Sequence, residues 1–447
     1  MTAPVRRAGV FAALCTLALV VPLFGPQVAA VVAAVVLLGS AVITDGPLFD
    51  LLAYPGDYED GRLYGLITFV LAIVALGLIS VRASLPTEVF VGTAVLVGYG
   101  NLGEQLARLR TDHDVARVTV FAAVATVAAV VGQVATAVID GTALGPSLES
   151  ALPTMVFLAA TGALLAALLR DMLLLYDDPV VMLSVGFLLW LLAELEPALG
   201  TVEIAAALAV TVGFGYLAYA LETASVAGML TGVLLCLLTI VLGGYGWFVV
   251  LVSFFGIGGL STKFRYDRKE QLGVAEDNDG ARGSGNVLGN AAVAIAAVLG
   301  YAASSASLLP GELEPGVFLF AFAGSVATAM SDTLSSEIGS VFETPRLITT
   351  LEPVEPGTDG GVTWQGELAG LAGAAVVAGI SYVLFPEVGV AGAAIIVAAG
   401  FVGMTVDSLL GATLEGSFLG NQGVNFLATL SGALVCALLV LSFAVFG

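Results

Sequence analysis

Val388-Gly-Val-Ala-Gly-Ala-Ala-Ile-Ile-Val-Ala-Ala-Gly-Phe-Val-Gly-Met-Thr-Val-Asp-Ser-Leu-Leu410 is the stretch that decides the fold. Its only charged side chain is Asp407, so nineteen uncharged residues, Val388–Val406, run unbroken. Roughly 20 apolar residues cross a bilayer as a helix. A membrane strand needs only about 10 and alternates in polarity; this run is longer and does not alternate. Backbone groups in lipid must satisfy one another, which admits only helices or closed barrels. The run reads as a transmembrane helix.

Similar runs lie on both sides. Tyr245–Leu260, Val287–Leu309, Val317–Leu334 and Leu368–Phe385 precede it, and Val424–Phe446 follows. Others begin near Gly9, Val28, Leu63, Val89, Val118, Pro153, Val180, Val202 and Ala224. At roughly 20 residues per span, about fifteen transmembrane segments are expected. The fold class is therefore all-α, a polytopic membrane helical bundle. Composition agrees: of 447 residues, 59% are hydrophobic and 11% charged, against about 45–50% and about 25% in a soluble domain. A soluble globule, a disordered chain and a nucleic-acid binder are excluded.

The net charge is −21, and the only lysines are Lys263 and Lys269. A hydrated acidic surface poor in lysine suits a salt-rich cytoplasm, so a halophilic source is expected; net charge speaks to surroundings and not to fold. Cys15, Cys236 and Cys436 each lie inside an apolar segment and make neither a disulfide framework nor a zinc site. His113, the single histidine, sits among Arg108, Arg110, Asp112, Asp114 and Arg117 and reads as a solvated loop residue. Multi-histidine metal centres are excluded.

Arg6 and Arg7 precede two apolar runs in succession, which read as a retained hairpin with a cytoplasmic N-terminus rather than a cleaved signal peptide. Counting from there, the loops with Arg108, Arg110, Arg117 and Arg170 fall inside, and the loop 140–149, which has no basic residue, falls outside. The loop after Leu260 carries Lys263, Arg265, Arg268, Lys269 and Arg282 and also falls inside. The loops 263–286, 335–365 and 411–423 are each two helices apart, so all three share the cytoplasmic face. Residues 1–205 are apolar helices with acidic linkers, a membrane region whose role stays open. Residues 206–447 concentrate Gly, Asn, Ser, Thr and carboxylates at helix ends, and the resemblance given below implies that they form the catalytic domain.

Three constellations in that second part carry chemistry. Ser261-Thr-Lys-Phe-Arg265 is followed by Arg282-Gly-Ser-Gly-Asn286 and Asn290. Cationic side chains and glycine-rich backbone at a helix start suit a polyphosphate; a positive-inside anchor with a glycine turn is the plainer alternative. Its spacing is not GxGxxG, and no P-loop occurs in the chain. Second, Ser331-Asp-Thr-Leu-Ser-Ser-Glu-Ile-Gly339 ends an apolar helix with Asp332 and Glu337. Acids at membrane depth are costly and mark functional sites by default, and these suit a hard cation such as Mg²⁺. On a helix Glu337 falls off the Asp332 face. The same loop continues through Arg346 to Gly357-Thr-Asp-Gly-Gly-Val362, a nest for an anion or an ordinary tight turn. Third, Asp407-Ser-Leu-Leu-Gly-Ala-Thr413, followed by Asn421 and Asn425, echoes the Asp-Thr-Leu of the second. Cations, an anion cradle and two acidic helix ends on one face are what phosphoryl transfer needs.

Taken in order, Phe254-Phe255, Thr262-Lys263, Arg282-Gly283 with Asn286 and Asn290, Ser331–Gly339, Gly357–Val362 and Asp407–Thr413 resemble the integral-membrane family that includes plant phytyl-phosphate kinase and animal transmembrane protein 19. The resemblance covers residues 210–447. It implies a membrane kinase that converts an isoprenyl monophosphate, here geranylgeranyl phosphate, to the diphosphate with CTP as donor. The expected partners are the prenyl phosphate lipid, the nucleotide and membrane lipids. On this reading Asp332 and Asp407, aided by Glu337, hold Mg²⁺, and Lys263 joins the two aspartates as catalytic. Arg265, Arg282 and Arg346 neutralise phosphates, Asn286 and Asn290 orient them, and Gly357, Thr358, Gly360 and Gly361 close over the nucleotide. The rival readings are a cytidylyltransferase acting on a lipid phosphate and a secondary transporter; a transporter should place its acids at the midplane rather than at one face.

Overall fold

The computed structural model describes residues 3–172, 178–221, 224–273, 283–311, 313–342 and 344–443. They form two compact units, Met1–Ala206 and Ala207–Gly447. The first holds α1 (Ala3–Thr16), α2 (Val20–Phe24), α3 (Pro26–Val42), α4 (Gly46–Leu52), α5 (Asp57–Asp60), α6 (Tyr64–Arg82), α7 (Thr87–Ala107), α8 (Asp114–Ile139), α9 (Pro146–Met172) and α10 (Asp178–Glu194). Helix α11 (Thr201–Ala220) carries the boundary. The second unit continues with α12 (Val226–Gly243), α13 (Tyr245–Thr262), α14 (Tyr266–Leu272), α15 (Ser284–Ser305) and α16 (Pro315–Gly339). Strands β1 (Arg346–Leu347) and β2 (Gly361–Val362) then precede α17 (Trp364–Leu384), α18 (Val390–Leu414) and α19 (Asn421–Ser442).

The chain is an all-α integral membrane protein with many spans. Among the described residues, twelve helices are long and apolar enough to cross a bilayer, or thirteen if α3 and α4, bent by 111°, make one span. That agrees with the expected bundle of about fifteen segments, give or take one or two; α7 and α10 are helices outside the twelve. Helix α7 buries fourteen of its residues in protein, so Thr93 and Asn101 need not meet lipid. Helix α10 has 17 described residues, about 26 Å at 1.5 Å per residue.

In the first unit α7 packs between α1, α8 and α9. Its glycines make the approach possible: a Cβ on Gly98 would lie 2.5 Å from Cys15 Sγ, and one on Gly100 would lie 2.9 Å from the Phe121 ring. At one end, Arg170 Nη1 meets Asp178 Oδ1 at 2.5 Å and Arg170 Nη2 donates to Asn101 Oδ1 at 3.2 Å. The Tyr54 hydroxyl donates to Asp178 Oδ2 at 3.0 Å, and the Arg7 guanidinium lies 4.1 Å over the Tyr54 ring. Fully buried Asp57 accepts from the backbone N–H groups of Tyr54 and Gly65. Each of these acids therefore has cationic, hydroxyl or N–H donors around it.

In the second unit α16 is the axis, packed by α13, α15, α17, α18 and α19. Phe320, Phe322, Val326 and Met330 fill the apolar core around it. Strands β1 and β2 pair antiparallel, Arg346 opposite Val362, and are the only named strands among the described residues.

Candidate functional site

The site begins with a helix crossing that carries no charge. A Cβ on Gly403 of α18 would lie 2.2 Å from Thr328 Oγ1 of α16, and one on Gly432 of α19 would lie 1.9 Å from the same oxygen. Two glycines thus let three helices close on one threonine, whose hydroxyl donates to Gly324 O at 2.9 Å. An α-helix repeats its face every 3.6 residues. Four residues beyond Thr328 is Asp332, and four beyond Gly403 is Asp407. The two carboxyls lie close enough for the charge of Asp332 to act on Asp407. Two carboxylates so close repel unless a proton or a cation lies between them. Asp407 Oδ1 is buried and has no hydrogen-bond partner.

The 357–362 turn lies on α18 one turn past Asp407. Gly360 has φ +73°, and a Cβ there would lie 2.4 Å from Ala412 Cβ and 2.6 Å from Ser408 O. Glycine is required both for the left-handed backbone and for this close approach. The turn is closed on itself: Gly361 N–H donates to Thr358 O at 2.9 Å, and the Thr358 hydroxyl to Glu355 O at 2.7 Å. Gly357, at φ +83°, and Thr358 are exposed at its tip. Glu415 directly follows α18. Burial, and then the charge of Asp359, push its carboxyl above the ordinary glutamate range, while a hydrogen bond with Asn421 opposes them.

The first turns of α15 and α19 lie against each other, where a Cβ on Gly289 would come 3.0 Å from Gln422 O. Buried Asn290 donates to Asn286 O at 3.0 Å, and buried Asn425 to Asn421 Oδ1 at 3.2 Å. One end of the unit thus gathers the C-terminal turns of α16 and α18, the N-terminal turns of α15 and α19, and the glycine turn.

The expected cations are turned toward their own surroundings. Exposed Lys263 donates from Nζ to Leu221 O at 3.0 Å. Arg265 takes a left-handed backbone, φ 48°, and stands 5.6 Å over the Phe264 ring. Arg346 Nη1 donates to Leu351 O at 2.7 Å within its own loop. Arg282 lies outside the described residues.

Sequence reasoning missed Lys269. It is 1% exposed, and its Nζ donates to Ser261 O at 3.1 Å, to Thr262 O at 3.0 Å and to the Glu337 carboxylate. An ammonium has three protons, and all three are used. The lysine ties the last carbonyls of α13 to the end of α16. Glu337, expected to aid the metal, is the partner of Lys269. The available signal was the scarcity of lysine together with an acid, Glu337, off the Asp332 face.

Among the described residues no group of three His, Cys, Asp or Glu side chains is placed to hold a metal ion. Mg²⁺, however, keeps several waters and takes substrate phosphate oxygens, so one or two protein carboxylates suffice. Asp332 and Asp407, with the partnerless Oδ1, fit that demand.

The family described as integral membrane protein DUF92 matches residues 209–433. An uncharacterized membrane protein of Methanocaldococcus jannaschii is 35% identical over 202 residues, which is 44% of this chain and 77% of that protein. One from Synechocystis is 35% identical over 199 residues, 43% of this chain and 73% of that protein. The chloroplast protein VTE6 of Arabidopsis thaliana is 32% identical over 221 residues, 48% of this chain and 65% of that protein. No solved structure matches.

Proposed function

The chain belongs to the integral membrane protein DUF92 family, and on that premise we propose that it is a prenyl phosphate kinase working at the cytoplasmic surface of the cell membrane. The observation that carries the reading is the Asp332–Asp407 pair, with its partnerless Asp407 Oδ1, beside the glycine turn on α18. Similarity to VTE6 and the motif resemblance to phytyl-phosphate kinases support a lipid phosphate as acceptor. Geranylgeranyl phosphate is the proposed acceptor and CTP the proposed donor.

In the proposed step an oxygen of the prenyl phosphate forms a bond to the γ-phosphorus of CTP. The bond from that phosphorus to the β–γ bridging oxygen breaks, and CDP leaves with the bridging oxygen. The acceptor oxygen is already anionic near neutral pH, so the protein need not remove a proton. Asp332 and Asp407 would hold Mg²⁺, which supplies charge neutralisation on the nucleotide phosphates. The exposed guanidiniums of Arg265 and Arg346 and the ammonium of Lys263 supply further positive charge once they swing from their present partners, and Arg282 adds to it. Asn286 and Asn290 orient the phosphates, and the 357–362 turn lies over the nucleotide.

The test is the purified protein in lipid nanodiscs with labelled geranylgeranyl phosphate, Mg²⁺ and each nucleoside triphosphate in turn. Prenyl diphosphate and CDP are expected. A CDP-lipid with released pyrophosphate would make the protein a cytidylyltransferase, and uptake into proteoliposomes without turnover would make it a transporter. No product with any nucleotide rejects the kinase.

A further inference from the structure

The first unit contains a cleft of about 360 Å³ lined by α1, α2, α3, α6 and the start of α7. Helix α3 lines it with Ala29, Ala30, Val32, Ala33 and Val36, while Val31, Val35 and Leu38 stay exposed. Along α6 the lining runs from Val70 to Arg82, about 18 Å at 1.5 Å per residue. That is about half of the roughly 30 Å hydrocarbon core, the depth of one leaflet. The size lies within the range of small-molecule sites, about 300–1,000 Å³.

Only two lining residues are polar, Gln27 at the start of α3 and Arg82 at the end of α6, and none is acidic. Arg82 is exposed and, among the described residues, makes no hydrogen bond or ion pair. This is an unanswered cation in a chain of net charge −21. A guanidinium binds phosphate through two parallel N–H donors. We propose that this cleft binds a long-chain phosphate monoester from one leaflet, its single tail along α6 and its phosphate on Arg82. This site is independent of the kinase reading, since it rests on neither aspartate nor on the second unit.

The experiment uses the full chain in phosphatidylcholine nanodiscs and hexadecyl phosphate bearing a diazirine on its tail, with the crosslinks mapped by mass spectrometry. Labelling is expected within residues 26–36 and 70–82, displaced by unlabelled hexadecyl phosphate and not by hexadecanol. Arg82→Gln should lower it about tenfold or more, the scale of a lost hydrogen bond to a charged group, and Arg82→Lys should restore most of it. Ala33→Phe, which fills the cleft from the loosely packed α3, should lower it as well. Equal displacement by hexadecanol, or undiminished labelling of Arg82→Gln, overturns the proposal by making the cleft a passive lipid groove. Equal displacement by phosphatidylglycerol overturns the single-chain assignment.

Discussion

The two units treat buried charge in opposite ways. In the first, Asp178 is answered by Arg170 and Tyr54, and Asp57 by two backbone N–H groups. In the second, Lys269 and Glu337 form a similarly closed pair, yet one helical turn away Asp332 and Asp407 face each other and Asp407 Oδ1 has no partner. A closed network fixes structure; removing one member leaves a stranded charge. Two like charges brought together favour a cation between them, which is the role proposed for this pair. The contrast sets groups whose partners are protein beside the pair proposed to meet a ligand, although all of them are acids and bases near helix ends.

The largest expected effects test the closed networks. Lys269→Met and Arg170→Met each strand acids, and each should lower stability by about 3–5 kcal/mol, read as loss of folded protein in thermal unfolding in detergent. If Lys269→Met unfolds no more easily than the parent, the pair is not structural and the contrast fails. Next, Asp407→Asn should cut kinase turnover by about 10²–10³-fold, the scale of one lost electrostatic group in an active site, with the unfolding temperature unchanged or raised because a like-charge contact is relieved. Equal losses of stability and turnover would place Asp407 among the structural acids. Gly403→Ala would push a methyl against Thr328; overpacking costs about 1–3 kcal/mol, and turnover should fall with it as the two acids are forced apart.

The smallest effect is on pH dependence. Burial and Asp359 raise the Glu415 carboxyl in the folded chain, so the folded state holds that proton more tightly than the unfolded one. Its contribution is greatest below the unfolded value, near 4.3, and is lost as pH rises through the raised folded value. Glu415→Gln should therefore be the more stable protein above that window and equal to the parent below it, measured as unfolding midpoint against pH. A difference that grows toward acid pH would contradict the assignment.

Much of this architecture was legible in the residues because membrane helices announce themselves by length and apolarity. Val388–Leu410 reads as a helix from those two properties alone, and α18 spans Val390–Leu414. The run beginning near Val89 reads as a further segment, and α7 spans Thr87–Ala107, its polar Thr93 and Asn101 buried in protein. At the site, the echo between the Asp332 and Asp407 motifs could be read locally, and so could the glycine turn. Lys269 could not: its partner is 68 positions away, on a different helix, and the short α14 that delivers it follows a left-handed Arg265 that no periodicity foretells. Long cationic side chains such as Lys263 and Arg346 were legible as charge but not as geometry, because a flexible stem can satisfy itself on the nearest carbonyl.

The meeting of Gly403 and Thr328 has a wider consequence. The gap between the two aspartates is gauged by a bare glycine against a buried hydroxyl, one turn beneath them. Mutational scans that look only at ionisable residues would overlook the spacer that calibrates them. A methyl added at that spacer has nowhere to go, so the separation of the acids depends on a residue with no charge of its own.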